Sequence, residues 1–169
     1  MELLEAIRTR RSIRKYKPDP IPEDQVREIL NAGRWAPSSR MNVQPWKFIV
    51  LTDEKLRKEM AGVLSKGRFI MKSSLGIAIT VDPKVAIHPL QDAAAATQNM
   101  LLAAHALGLG GCWIAPANES EEKSAKEIIG APEEVRLTAV ISLGYPVETP
   151  QIGRKELDEI TFINKYGSR

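Results

Sequence analysis

A chain of 169 residues has room for one domain with a real core and none for a second. Hydrophobic residues at 43% and charged residues at 27% exclude a disordered chain, and the formal net charge of +3 is too small to argue for nucleic acid. The single cysteine, Cys112, excludes an internal disulfide, and no CxxC or histidine-rich spacing points to a structural zinc.

The first predicted element is a short helix over 1–9, where Leu3, Leu4 and Ile7 recur at helical spacing. Its start carries Glu2 and Glu5 and lacks the apolar core of a secretion signal. No later apolar run reaches membrane length, so the expectation is a soluble, cytoplasmic protein without a membrane partner. Most of the positive charge gathers at the end of this helix, in Arg8, Arg10, Arg11, Arg14, Lys15 and Lys17. Such a cluster suits a phosphate, a nucleic-acid backbone or an acidic partner, and equally a solvated helix end.

Residues 16–22, YKPDPIP, read as an extended connector, because each proline biases its predecessor away from the helix. A second helix follows from Pro22, with Val26, Ile29, Leu30 and Gly33 on one face, and stops before Pro37. There the chain enters APSSRMNVQPWKFIVL, residues 36–51, a polar loop that empties into an apolar strand over 46–51. Ser38, Ser39, Asn42 and Gln44 offer neutral hydrogen-bonding groups between the stiffening residues Pro37 and Pro45. A stiff polar loop at a strand end is where a small-molecule site is presented, although composition by itself favours a plain surface loop.

Thr52 and Asp53 read as caps for a third helix burying Leu56, Met60, Val63 and Leu64, and the basic stretch 65–74 reads as irregular. LGIAITV, residues 75–81, is an interior strand. The longest helix spans 90–107, and its six alanines between Ala93 and Ala104 let it approach other backbones closely. Gln98 and Asn99 interrupt its apolar stretch, to be exposed or satisfied locally. Gly108, Gly110 and Gly111 lead to the extended piece CWIAP. Asn118 with Glu121 resembles a capping box for a helix burying Ala125, Ile128 and Ile129, ended by Gly130. Residues 135–143 form a further strand, and the tail from Thr149 holds Arg154 and a short segment over 157–163. Three or four strands among four or five helices give a small sheet covered by helices on both faces.

Hydrolytic chemistry has little support, since there is no G-x-S-x-G elbow and His88 and His105 lack an evident nucleophile partner. GVLSKGRF has Walker-A glycine spacing but places Arg68 and Phe69 where Lys and Ser or Thr belong. No G-x-G-x-x-G follows a strand, so a Rossmann site is also unsupported.

The ordered set RRSIRKY at 10–16, APSSRMNVQPW, QN within the alanine helix, GLGGCWI, LGYP and a late arginine resembles the FMN-dependent nitroreductase family over nearly the whole chain. That resemblance implies an α+β fold with a small mixed, mainly antiparallel sheet, and one FMN-binding domain over 1–169 in a homodimer, with two FMN sites at the subunit interface and a swapped C-terminal tail embracing the partner. It implies that Arg10, Arg11, Ser12, Arg14 and Arg154 hold the FMN phosphate and ribityl chain. Pro37, Ser38, Ser39, Asn42 and Gln44 would come from the other subunit. The backbone from Gly110 to Pro116, including Gly111, Trp113 and Ile114, would lie against the flavin ring. The implied activity is transfer of electrons from NADH or NADPH through FMN to an electron-poor acceptor such as a nitroaromatic or quinone, with no catalytic side chain and no metal. Two features depart from the family pattern: the loop is one residue longer between the serines and Asn42, and 60–75 is too short for the cover of larger relatives. Two other classes stay open, a flavin-binding protein with another role and a basic nucleic-acid module.

Overall fold

In the computed structural model, which describes residues 1–41 and 43–168, four strands form one sheet in the order β1-β2-β4-β3. They are β1 (Trp46–Leu51), β2 (Leu75–Val81), β3 (Gly110–Ile114) and β4 (Arg136–Gly144). Every neighbouring pair is antiparallel. The parallel part of the expected mixed sheet reduces to one isolated bridge, Ser12 to Gly111.

Strand β2 lies in the middle and is buried at every position, which is why its sequence is continuously apolar rather than alternating. Leu75, Ile77, Ile79 and Val81 face one core layer and Ala78 the other. A register shift between Ile79 and Thr80 changes the parity across β4. As a result Ala139 packs with the first layer while Leu137 packs with the second.

The first layer belongs to α2 (Glu23–Arg34) and α4 (Pro89–Ala106). Ala93, Ala96 and Ala104 bring α4 close to its neighbours, and Gly33 of α2 has no side chain because Met100 of α4 fills the space. A Cβ at Gly33 would stand 2.8 Å from Met100 Cγ. Asn99 Nδ2 donates to the Ala32 carbonyl of α2 at 3.2 Å, while Gln98 is exposed. The second layer belongs to α3 (Glu54–Val63) and α5 (Glu119–Ile128), with a 3-10 turn over Arg68–Lys72 in the stretch expected to be irregular.

The helix starts follow the sequence closely. Asp53 caps α3 by accepting from Lys55 N at 2.7 Å. Asn118 Oδ1 accepts from Glu121 N at 3.0 Å, but the Glu121 carboxylate reaches Ala117 N at 2.9 Å instead of closing the box on Asn118. The remaining helices are α1 (Leu3–Thr9) and the four-residue α6 (Leu157–Ile160) in the tail. The tail beyond Pro146 is exposed along nearly its whole length.

Candidate functional site

The arginine cluster sits on a segment laid directly over the sheet. After Arg10 N closes α1 on the Ala6 carbonyl, Ile13 N donates to the Gly111 carbonyl at 3.0 Å. Lys17 N then donates to the Tyr145 carbonyl at 2.9 Å. This close approach explains two glycines. A Cβ at Gly110 would lie 2.7 Å from Ile13, and one at Gly144 would lie 2.8 Å from the Tyr16 ring. Tyr16 locks the segment from the other end, its hydroxyl donating to the Ile13 carbonyl at 2.5 Å and pairing with Ser142 Oγ at 2.6 Å.

The arginines of this segment are uncompensated, whereas its Lys15 pairs with Glu148 at 3.1 Å. Among the described residues none of Arg10, Arg11, Arg14 and Arg154 pairs with a carboxylate. Burial and then repulsion from Arg154 and Arg11 lower the Arg10 guanidinium pKa from its ordinary value. Arg11 Nη1 donates to the Arg8 and Arg10 carbonyls at 2.7 and 2.9 Å, whereas its Nε is buried without a partner. Arg14 lies 5.6 Å from the centre of the Phe69 ring. Beneath them Cys112 is buried, which pushes its thiol up and makes it an inert core group. Next to the cluster, at the end of α4, the His105 ring donates from Nε2 to Thr9 Oγ1 at 2.8 Å, because the Thr9 proton already goes to the Glu5 carbonyl at 2.7 Å. Burial, with Arg10 and Arg11 nearby, keeps that imidazole pKa below its usual value.

The loop after α2 is held elsewhere. Ser38 Oγ turns inward to the Arg40 and Val43 carbonyls at 2.9 and 2.5 Å. Ser39 donates from N and Oγ to the two carboxylate oxygens of Asp92, at 2.6 and 2.7 Å, in the first turn of α4. Pro37 and Gln44 are exposed, and Gln44 borders a cavity of about 670 Å³ with Arg27, Arg34, Trp46 and Lys47. Asn42 lies outside the described residues.

The expected site residues thus form two groups. Arg10, Arg11, Ser12 and Arg14 gather with Arg154 and with the strand Gly110, Gly111, Trp113 and Ile114. Trp113 keeps its side chain outside, and Ile114 turns its own into the core, so that only its backbone faces the site. Pro37, Ser38, Ser39 and Gln44 lie at the opposite end of α4. The anchors of the two groups, Asp92 and His105, lie thirteen helical steps apart, roughly 20 Å along the axis. One chain does not bring them together.

The profile of the nitroreductase family matches residues 7–69 and 78–145. This chain belongs to the nitroreductase family. Among its relatives, a protein of Archaeoglobus fulgidus with the provisional name NADH dehydrogenase/NAD(P)H nitroreductase is 40% identical over 150 residues, covering 86% of each chain. An FMN-dependent nitroreductase of Clostridium difficile R20291 superposes with a TM-score of 0.90 at 29% identity, covering 96% of this chain and 99% of that one. A Desulfovibrio desulfuricans protein provisionally named a nitroreductase, solved in complex with FMN, superposes with a TM-score of 0.84 at 32% identity over 98% of both chains.

In this nitroreductase-family chain the residues that place the two groups were mostly silent in the sequence. Tyr16 stands in the RRSIRKY motif, but its partner Ser142 is one serine in an apolar strand. Asp92 looks like an ordinary acidic residue complementing a helix start. Only the fold brings Ser39 to it.

Proposed function

We propose that this chain is an NAD(P)H-dependent flavin oxidoreductase that holds FMN between two copies of itself and passes electrons to a small electron-poor acceptor, such as a nitroaromatic or quinone. The observation that carries the reading is the uncompensated arginine cluster over the Gly110–Gly111 backbone. The half-buried Arg10 and Arg11 have no carboxylate partner and the Arg11 Nε is buried without an acceptor, a cost that an anion would relieve, and a phosphate monoester fits that donor set. The clustering of Arg154 with Arg10 brings a late residue into the same group.

Bound FMN supplies the hydride-accepting and electron-releasing chemistry. The chain supplies position. In this reading Arg10, Arg11, Ser12 and Arg14 with Arg154 take the phosphate and ribityl hydroxyls, and the backbone at 110–111 lies along the ring. Trp113 walls one side. Ser38, Ser39 and Gln44, together with Asn42, come from the partner. No side chain is assigned as general acid or base, in keeping with a buried, inert Cys112 and a His105 occupied by Thr9.

The second copy is supported by the roughly 20 Å that separates the two groups within one chain. It is also supported by apolar surface: Leu3, Leu4 and Ile7 of α1 are 67%, 63% and 51% exposed, and the tail leaves Leu157, Ile160, Phe162 and Ile163 uncovered. A tail that packs on so little of its own chain suits one that wraps a partner.

The test is the visible spectrum of the purified protein after FMN addition and gel filtration, followed by anaerobic NADH or NADPH. A retained flavin spectrum that bleaches with a nicotinamide is the expected result. Retention without bleaching would leave a flavin-binding protein of another role, and no retention would overturn the reading.

A further inference from the structure

Asp92 is charged, only 4% exposed, and has no part in the chemistry above. Both its carboxylate oxygens go to one residue, Ser39: Oδ1 accepts from the backbone N–H at 2.6 Å and Oδ2 from the hydroxyl at 2.7 Å. The same Ser39 oxygen accepts from Ile87 N at 3.2 Å and His88 N at 3.0 Å, where the chain turns into α4. A serine hydroxyl has one proton and two lone pairs, so this one is fully occupied. Its side chain has nothing left for a ligand, and what it offers the site is the position of the loop around it.

We propose that Asp92 is a positioning residue that clamps the Ser38–Gln44 loop to the first turn of α4, and thereby sets the geometry of the half-site which that loop presents to the flavin of the partner. The inference rests on the flavin reading above and adds to it a residue outside the ligand-contacting set. Two charge-assisted bonds converge on a buried carboxylate at the positive end of an eighteen-residue helix, where the negative charge is favoured and the anchor is rigid. The clamp joins the loop to the helix that also carries His105 beside the arginine cluster, so one rigid element holds one half of each of the two shared sites.

Asp92→Asn keeps the shape but cannot keep both bonds. Its amide nitrogen would face either the Ser39 N–H, a second donor, or the Ser39 oxygen, whose lone pairs are already engaged. The experiment compares wild type, Asp92→Asn, Ser39→Ala and the double variant by hydrogen exchange of the Ser39 and Val43 amides, both hydrogen-bonded in the loop, in the flavin-free protein, and by FMN titration. Exchange at those amides is expected to rise about tenfold in Asp92→Asn. The FMN dissociation constant is expected to rise about tenfold in either single variant, with the double variant no weaker than the weaker single. A kcat that falls while KM for the nicotinamide holds would accompany it. If Asp92→Asn lowers only the melting temperature and leaves loop exchange and FMN affinity at wild-type values, the proposal is overturned. If that variant does not fold, Ser39→Ala decides by the same two readouts. A wild type that retains no FMN would sink the flavin reading, while unchanged loop exchange would sink the clamp, so the two failures are told apart.

Discussion

A methyl group at Gly110 would meet Ile13 Cβ and Cγ1 at 2.7 Å, and Ile13 cannot retreat because its own N–H is bonded to Gly111. Gly110→Ala is therefore expected to cost about 1–3 kcal/mol, read as a lower urea midpoint at unchanged slope. It should also weaken FMN retention, since Ile13 carries Ser12 and Arg14 with it. Tyr16→Phe probes the other end of the same segment. It removes the hydroxyl shared by Ser142 Oγ and the Ile13 carbonyl, and a loss of about 1–2 kcal/mol in chemical denaturation is expected. Arg14→Ala should leave stability nearly intact, because Arg14 is exposed and lies over the Phe69 ring, yet weaken FMN binding by about 1–3 kcal/mol in a fluorescence titration. Unchanged affinity would take Arg14 out of the site.

At the scale of elements, α5 is tied to β4 by one carboxylate. Glu122 accepts from Arg136 Nε and Nη2 at 2.8 and 2.9 Å and from Leu137 N at 3.0 Å. Burial pushes its pKa up, but the bonds from Arg136 and Leu137 outweigh it, and the net shift is downward. A carboxylate with a depressed folded pKa adds stability above its unfolded pKa of about 4.3 and loses it as the pH falls through the folded value. Stability is thus expected to decline below about pH 4, and Glu122→Gln should flatten that acid limb in urea melts taken across pH. The elements themselves were legible where local chemistry decides them. Strands β1 and β2 begin and end where their apolar runs do, and α3 begins at its Asp53 cap. The 3-10 turn at Arg68–Lys72 was not legible, because its own Ile70 is held in a core layer with Leu51, Leu64 and Ile114 from other parts of the chain. Nor was the burial of Arg57, a residue on the polar stretch of α3 that turns back to the Leu51 and Thr52 carbonyls at the end of β1. The site shows the same division. Its charged and glycine residues could be found in the sequence, whereas Asp92 and Ser142, which hold them in place, have meaning only once distant segments meet.

For the whole molecule the central prediction is association. Light scattering at micromolar concentration is expected to give twice the chain mass. A chain ending at Val147, without the exposed tail and Arg154, should shift toward the single-chain mass and hold FMN poorly. A full-length chain that stays single yet binds flavin would contradict the shared site.

Helix α4 keeps the arginine cluster and the serine loop at its two ends, too far apart to serve one ligand within a chain. In the proposed pair, defects at the two ends should therefore complement each other. A chain carrying Arg10→Ala and a chain carrying a damaged loop would each be inactive alone. Unfolded together and refolded at equal amounts, half of the pairs would be hybrids, with one site inheriting both lesions and the other neither. About a quarter of the wild-type sites should return, a revival that no molecule with self-contained active sites could show.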